Sequence, residues 1–254
     1  QRPLQAALHT SNIWLVVLCG TILFLCQPSL SGSAQSPPAP HATGDAHSAH
    51  LRVGWEGSAE GKAYSEFNHH LAGAAVVLIG ISELHGVLGI SVWLWVRFLL
   101  PGAMLVAGTY LIVWSDHEAW PIGSQTFMDM CVGGDTETLQ HKTYAILLLV
   151  VGMLELFRRS GRLHEGYWAL PLSAFAVIGG LLLFFHSHGD HPSAHAIVLH
   201  HLTMGVTALL AGLCLIMSQY GAAIPHTGPP PREWKRAWEI LILIIGTQLL
   251  IYTE

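Results

Sequence analysis

The chain has 254 residues, 52% of them hydrophobic and only 11% charged, with a formal charge of −5 at neutral pH. A soluble domain carries about 25% charged residues, so this composition points to a membrane protein and excludes the basic footprint of a nucleic-acid binder. Histidine is the anomaly, with 17 residues against 11 for Lys and Arg together.

Residues 13–25 (IWLVVLCGTILFL) are uncharged but too short to span a bilayer comfortably. With Arg2 before them and the small residues of 30–34 after, they read as a signal peptide over 1–34; the alternative is an uncleaved anchor helix. Residues 35–66, rich in Pro, Ala, Gly and Ser, read as a tether, solvated at first, that carries His41, His47 and His50. Of the four cysteines only Cys131 falls in a loop of the mature chain, so no disulfide framework is expected there.

Six apolar segments follow, near 67–88, 92–114, 141–157, 167–186, 196–219 and 236–252, each close to the ~20 residues a span needs. The expected fold is all-α, a polytopic bundle of about six membrane helices. Pro101 and Pro171 are expected to bend the second and fourth, and Gly179, Gly180, Gly205 and Gly212 to permit close helix contacts. With the mature N-terminus outside, the inward loops and their flanks hold Arg97, Arg158, Arg159, Arg162, Arg232, Lys235 and Arg236, while Arg52, Lys62 and Lys142 lie outward. That bias satisfies the positive-inside rule. Trp93, Trp95, Trp168, Trp234 and Trp238 then mark the inner interface, and Trp114 and Trp120 the outer one.

This topology sorts the histidines. His69 and His70 open the first helix, His117 follows the second and His141 opens the third. His186 and His188 close the fourth, and His200 and His201 lie in the first turns of the fifth. Five helices therefore bring imidazoles to one layer near the outer face, with His85, His164 and His226 towards the inner side. The stretch 186–201 (HSHGDHPSAHAIVLHH) alone holds six. A lone histidine at a helix end is more often an interfacial or capping residue, but a layer of paired imidazoles within a membrane bundle is a functional candidate. Imidazole suits Zn, Cu, Fe and Ni.

Two further features carry soft donors. Met128-Asp129-Met130-Cys131 lies in the acidic loop between the second and third helices, and thioethers and thiols favour Cu(I); a hydrophobic loop anchor explains it equally well. In the fifth helix His200, Met204, Thr207, Ala211, Cys214 and Ser218 line one face, a pattern more often packing than ion path. Glu83 is expected to pair with Arg97, and Glu155 with Arg158 and Arg159.

The segments FNHHLAG (67–73), SDHEAWPIG (115–123), QHK (140–142), HSH (186–188), HHLTMG (200–205) and YTE (252–254) resemble those of the copper resistance protein D-like (CopD-like) family of bacterial multipass membrane proteins. The resemblance covers roughly 64–254. It implies copper handling in the periplasm, with the paired histidines as ligands and a periplasmic copper protein as a partner. The Met-Asp-Met-Cys run and the HGDHPSAH insert depart from that pattern.

The expectation is therefore a bacterial inner-membrane protein that binds copper at its periplasmic face through His69, His70, His141, His186, His188, His200 and His201, with Asp116 as ligand or as support. Binding or transfer is expected rather than catalysis, since no helical HExxH and no activated-serine motif occurs. Two rivals stand beside it: a b-type haem electron-transfer protein, in which paired histidines ligate the iron axially, and a Zn, Ni or Co permease.

Overall fold

The computed structural model describes residues 58–88, 93–116, 119–132, 136–164, 166–185, 194–223 and 232–254. The signal peptide, most of the tether, and His117, His186, His188 and His226 lie outside the described residues. So do the side chains of Met130 and Cys131.

Among the described residues the regular elements are all helices, with no strand. Long helices α1 (Ala59–Leu88) and α2 (Leu99–Trp114) are followed by a short α3 (Phe127–Val132). Four more complete the set: α4 (Thr136–Arg159), α5 (Leu170–Leu183), α6 (Ala194–Ala223) and α7 (Arg232–Leu250). Single 3₁₀ turns, Leu94–Phe98 and Gly166–Ala169, lead into α2 and α5. Around the bundle α1 packs on α7, α7 on α6, α6 on α5, α5 on α4, α4 on α2 and α2 on α1, which closes the ring.

Five of these segments are long and apolar enough to cross a membrane: Ala59–His85, Leu94–Trp114, Thr138–Arg159, Gly166–Leu183 and His195–Gln219. The sixth expected span is α7, whose first two turns carry Arg232, Glu233, Lys235, Arg236 and Glu239 and so dilute its apolar run. Polarity is distributed as a lipid solvent dictates. Leu78, Ile81, Val106, Ile146, Val150 and Leu213 face outward, while Ser82, Ser173, Thr203, Thr207, Glu155, Glu239 and Gln248 are buried. A chain with such an apolar exterior is a multi-pass membrane protein.

The prolines correct the expected bends. Pro101 and Pro171 both sit in the first turn of an α-helix, after the 3₁₀ turns, with Phe98 and Ala169 as the N-caps. There the missing N–H is one of the donors that would lack a partner anyway, so proline starts a helix rather than kinking it. α1 also begins at Ala59 and takes in residues that the composition assigned to the tether. Trp238, expected at the interface, is buried in the core beside Leu241 and Leu215.

Glycine sets the closest contacts. A Cβ at Gly180 would lie 2.8 Å from the Gly205 carbonyl oxygen, and one at Gly246 would lie 2.8 Å from the Val77 nitrogen. α5–α6 and α7–α1 therefore meet backbone to backbone. The first pair was expected and the second was not. Gly179 has ordinary space near its Cα and instead accepts the Tyr144 hydroxyl at its carbonyl, 2.6 Å away.

Candidate metal centre

The two ends of the bundle have opposite chemistry. His69 and Glu83 are separated by 14 residues of α1, about 21 Å along its axis. His69, His70, His141, His200 and His201 lie at the first end, and Arg97, Arg158 and Arg159 at the second, together with His85 and His164.

At the histidine end the chain after α7 continues along α1 towards the start of that helix, meeting His70 at Tyr252 and Ser65 and Glu66 at Glu254. Ile251 and Tyr252 still bond to the carbonyls of Thr247 and Leu249, which places the Tyr252 ring among the first turns of α1 and α6. That ring is fully buried and lies flat against His69, with centroids 3.8 Å apart and planes 15° from parallel. His200 is 5.2 Å and His201 6.0 Å from it, and His69 lies 6.2 Å from His201. His70 approaches the Tyr252 backbone, its Nε2 2.9 Å from the carbonyl oxygen. Four of the expected ligands thus surround one tyrosine.

Backbone contacts fix two tautomers. His69 Nδ1 is 2.8 Å from the Ser65 carbonyl oxygen, an acceptor, so Nδ1 carries the proton and the lone pair is on Nε2. In His70 the carbonyl of Tyr252 selects the opposite tautomer, with the lone pair on Nδ1. Such second contacts orient an imidazole for a metal. Glu254 closes the cluster, accepting from the Tyr252 hydroxyl at 2.9 Å and from the Ser65 hydroxyl, while its N–H reaches Glu66 Oε1 at 3.0 Å. Tyr252, Glu254 and Ser65 were not among the expected site residues. The only sequence signal was the terminal YTE of the family resemblance.

His141 and Asp116 form a second pair, with Nδ1 3.2 Å from Oδ1. Ser115 donates its hydroxyl to the same carboxylate at 2.5 Å, and Lys142 donates to Ser115 Oγ at 3.1 Å and to the Ile112 carbonyl at 2.8 Å. Lys142 therefore caps the C-terminal end of α2, whose last carbonyls lack helical donors. Burial raises the Asp116 pKa, but hydrogen bonds and charge from His141, with Ser115 and Lys142 behind them, outweigh it and hold the carboxyl below its ordinary value.

His186 and His188 lie outside the described residues, although the chain enters their stretch at Phe185, whose carbonyl accepts from Gln140 beside His141 at 3.3 Å. Among the described residues no group of three or more His, Cys, Asp or Glu side chains is arranged to hold a metal ion. The donor chemistry suits one, and His69, His70, His200 and His201 stand around Tyr252 instead of converging.

The α6 stripe below this site is buried from His200 through Met204, Thr207, Ala211 and Cys214. Thr207 accepts from Gln248 of α7 at 3.3 Å, so the stripe is a packed helix interface. Of the sulfur donors in the 116–135 loop, only Met128 has a described side chain, and it is exposed. α3 itself is held by reciprocal Thr126–Asp129 bonds, an N-terminal capping box.

No family model matches the chain, and no curated protein or solved structure matches it either.

Proposed function

We propose that the histidine end of this bundle binds copper, and that the protein handles or transfers the ion at the periplasmic face of a bacterial inner membrane. One observation carries the reading: imidazoles from α1 and α6 pack around a single buried tyrosine, with two of the four tautomers set by backbone carbonyls. His69, His70, His200 and His201 would hold the ion. His141, supported by Asp116, and His186 and His188 from the adjoining stretch belong to the same proposed set. Copper supplies a borderline-to-soft Lewis acid that imidazole binds well. Its choice over zinc, nickel or cobalt rests on the resemblance to the CopD-like family. The orientation rests on the concentration of Arg and Lys at the opposite end.

Metal content and the absorption spectrum of detergent-purified protein test this, with wild type beside His69→Ala/His201→Ala and His164→Ala. His164 is exposed at the opposite end and serves as the control. Copper in stoichiometric amount in the wild type and in His164→Ala, but lost from the double variant, is the expected result. Equal copper in all three would overturn the site. A Soret band would transfer the same imidazoles to haem.

A further inference from the structure

The arginine end has a chemistry of its own, unlike that of the histidine layer. There Arg159 of α4 reaches across to α1, which α4 does not pack against, donating Nε to Glu155 of its own helix at 2.5 Å and Nη1 to Glu83 at 2.6 Å. Its Nη1 also reaches the Arg97 carbonyl oxygen at 2.8 Å. Glu83 was expected to pair with Arg97. It pairs with Arg159 instead, because α4 extends to residue 159 and brings that guanidinium opposite the last turns of α1.

That exchange leaves Arg97 with no carboxylate among the described residues; its guanidinium carbon lies 4.6 Å over the Phe98 ring. Arg158 spends Nε and Nη2 on Glu155, which leaves Nη1 without a described acceptor. Lys235 is half exposed, and its nearest carboxylate, Glu239, is 3.9 Å away. These three cations and Arg159 line one cavity of about 260 Å³, in which Glu83 is the sole acidic lining residue. Leu172, Leu215 and Trp238 form its apolar wall.

We propose that this cavity binds a phosphate-bearing anion. Guanidinium groups with unspent N–H donors bond phosphate oxygens in charge-assisted pairs. The volume, just under the ~300 Å³ of small ligand pockets, accommodates a headgroup rather than a whole large ligand. A basic pocket between membrane helices, with an apolar wall beneath, has the character of a lipid-headgroup site. A free phosphate offers the same oxygens, and the experiment separates the two sources.

Titration calorimetry on the detergent-purified full chain, with short-chain phosphatidylglycerol in one arm and inorganic phosphate in the other, tests the proposal. Arg97→Gln/Lys235→Gln removes two exposed cations, of which Arg97 has no described carboxylate partner and Lys235 only the 3.9 Å contact with Glu239, and Arg162→Gln removes a cation of the same end that does not line the cavity. The expected result is saturable binding in at least one arm, weakened about ten-fold or more in the double variant and unchanged in Arg162→Gln. Binding of phosphatidylglycerol alone identifies a lipid headgroup, and binding of phosphate a soluble anion. No saturable binding in either arm, or equal weakening in both variants, would overturn the site.

Discussion

Asp116 shows how much one side chain at the histidine end depends on its neighbours. Its carboxyl is held below the ordinary pKa by His141, Ser115 and Lys142 acting against burial. A depressed carboxyl contributes stability in full above the unfolded value near ~4 and loses it as pH falls through the folded value. Acid titration of thermal stability in detergent should therefore show a limb below about pH 4 in the wild type. Asp116→Asn should be less stable at neutral pH and lack that increment on acidification. Identical profiles for the two proteins would show that the pairing contributes nothing. The contact between Asp116 and His141 agrees with the sequence, which places both at helix ends of one face. Tyr252 could not be found that way, since its burial depends on the chain after α7 running on along α1, where its ring meets histidines of α1 and α6.

At the scale of the element, helix contacts in lipid depend on backbone approach, because side chains gain little by leaving one apolar medium for another. Gly246 and Gly102 make the contrast testable. A Cβ at Gly246 would meet Val77 Cγ2 at 2.7 Å and Val77 N at 2.8 Å, and backbone cannot retreat as a flexible side chain does. A Cβ at Gly102 meets nothing within 4 Å. Gly246→Ala should destabilise the bundle by roughly 1–3 kcal/mol, whereas Gly102→Ala should be neutral or stabilising by up to about 1 kcal/mol through helix propensity. Thermal unfolding in one detergent compares them directly; equal effects would remove the close α1–α7 approach as a determinant. Hydropathy located all six long helices by their apolar runs, but α1 begins at Ala59, eight residues before the expected 67, and the apolar run of α7 starts only after its charged first turns. The ends of α4 were hidden by Thr136–Gln140 and by Arg158 and Arg159, mostly polar residues that hydropathy discards and that helical hydrogen bonding retains.

For the whole molecule, the buried ion network at the arginine end joins elements that are far apart in the chain. Arg159 bridges Glu83 of α1, the Arg97 carbonyl before α2 and Glu155 of its own helix. Removing one member of a buried pair leaves the other charge uncompensated. Arg159→Ala should cost about 3 kcal/mol or more and lower the unfolding temperature of the entire bundle. Arg162→Ala, whose guanidinium lies over Phe157, should change it little. A small effect at Arg159 would mean that Arg158 and water replace it.

Composition and periodicity by themselves determined that the chain is helical, membrane-embedded and divided into a histidine end and an arginine end. Those properties follow from local sums: runs of apolar residues, and charges placed at the ends of those runs. Which groups meet was decided only by tertiary structure. Glu83 takes Arg159 and not Arg97, Pro101 starts a helix and does not bend one, and four histidines meet around Tyr252. Each outcome depends on the rotation and register of one helix against another, and backbone contacts such as Gly73–Gly246 and Gly180–Gly205 set these between residues 173 and 25 positions apart. A hydropathy profile sums over neighbours in the chain, so it carries no information about such pairs.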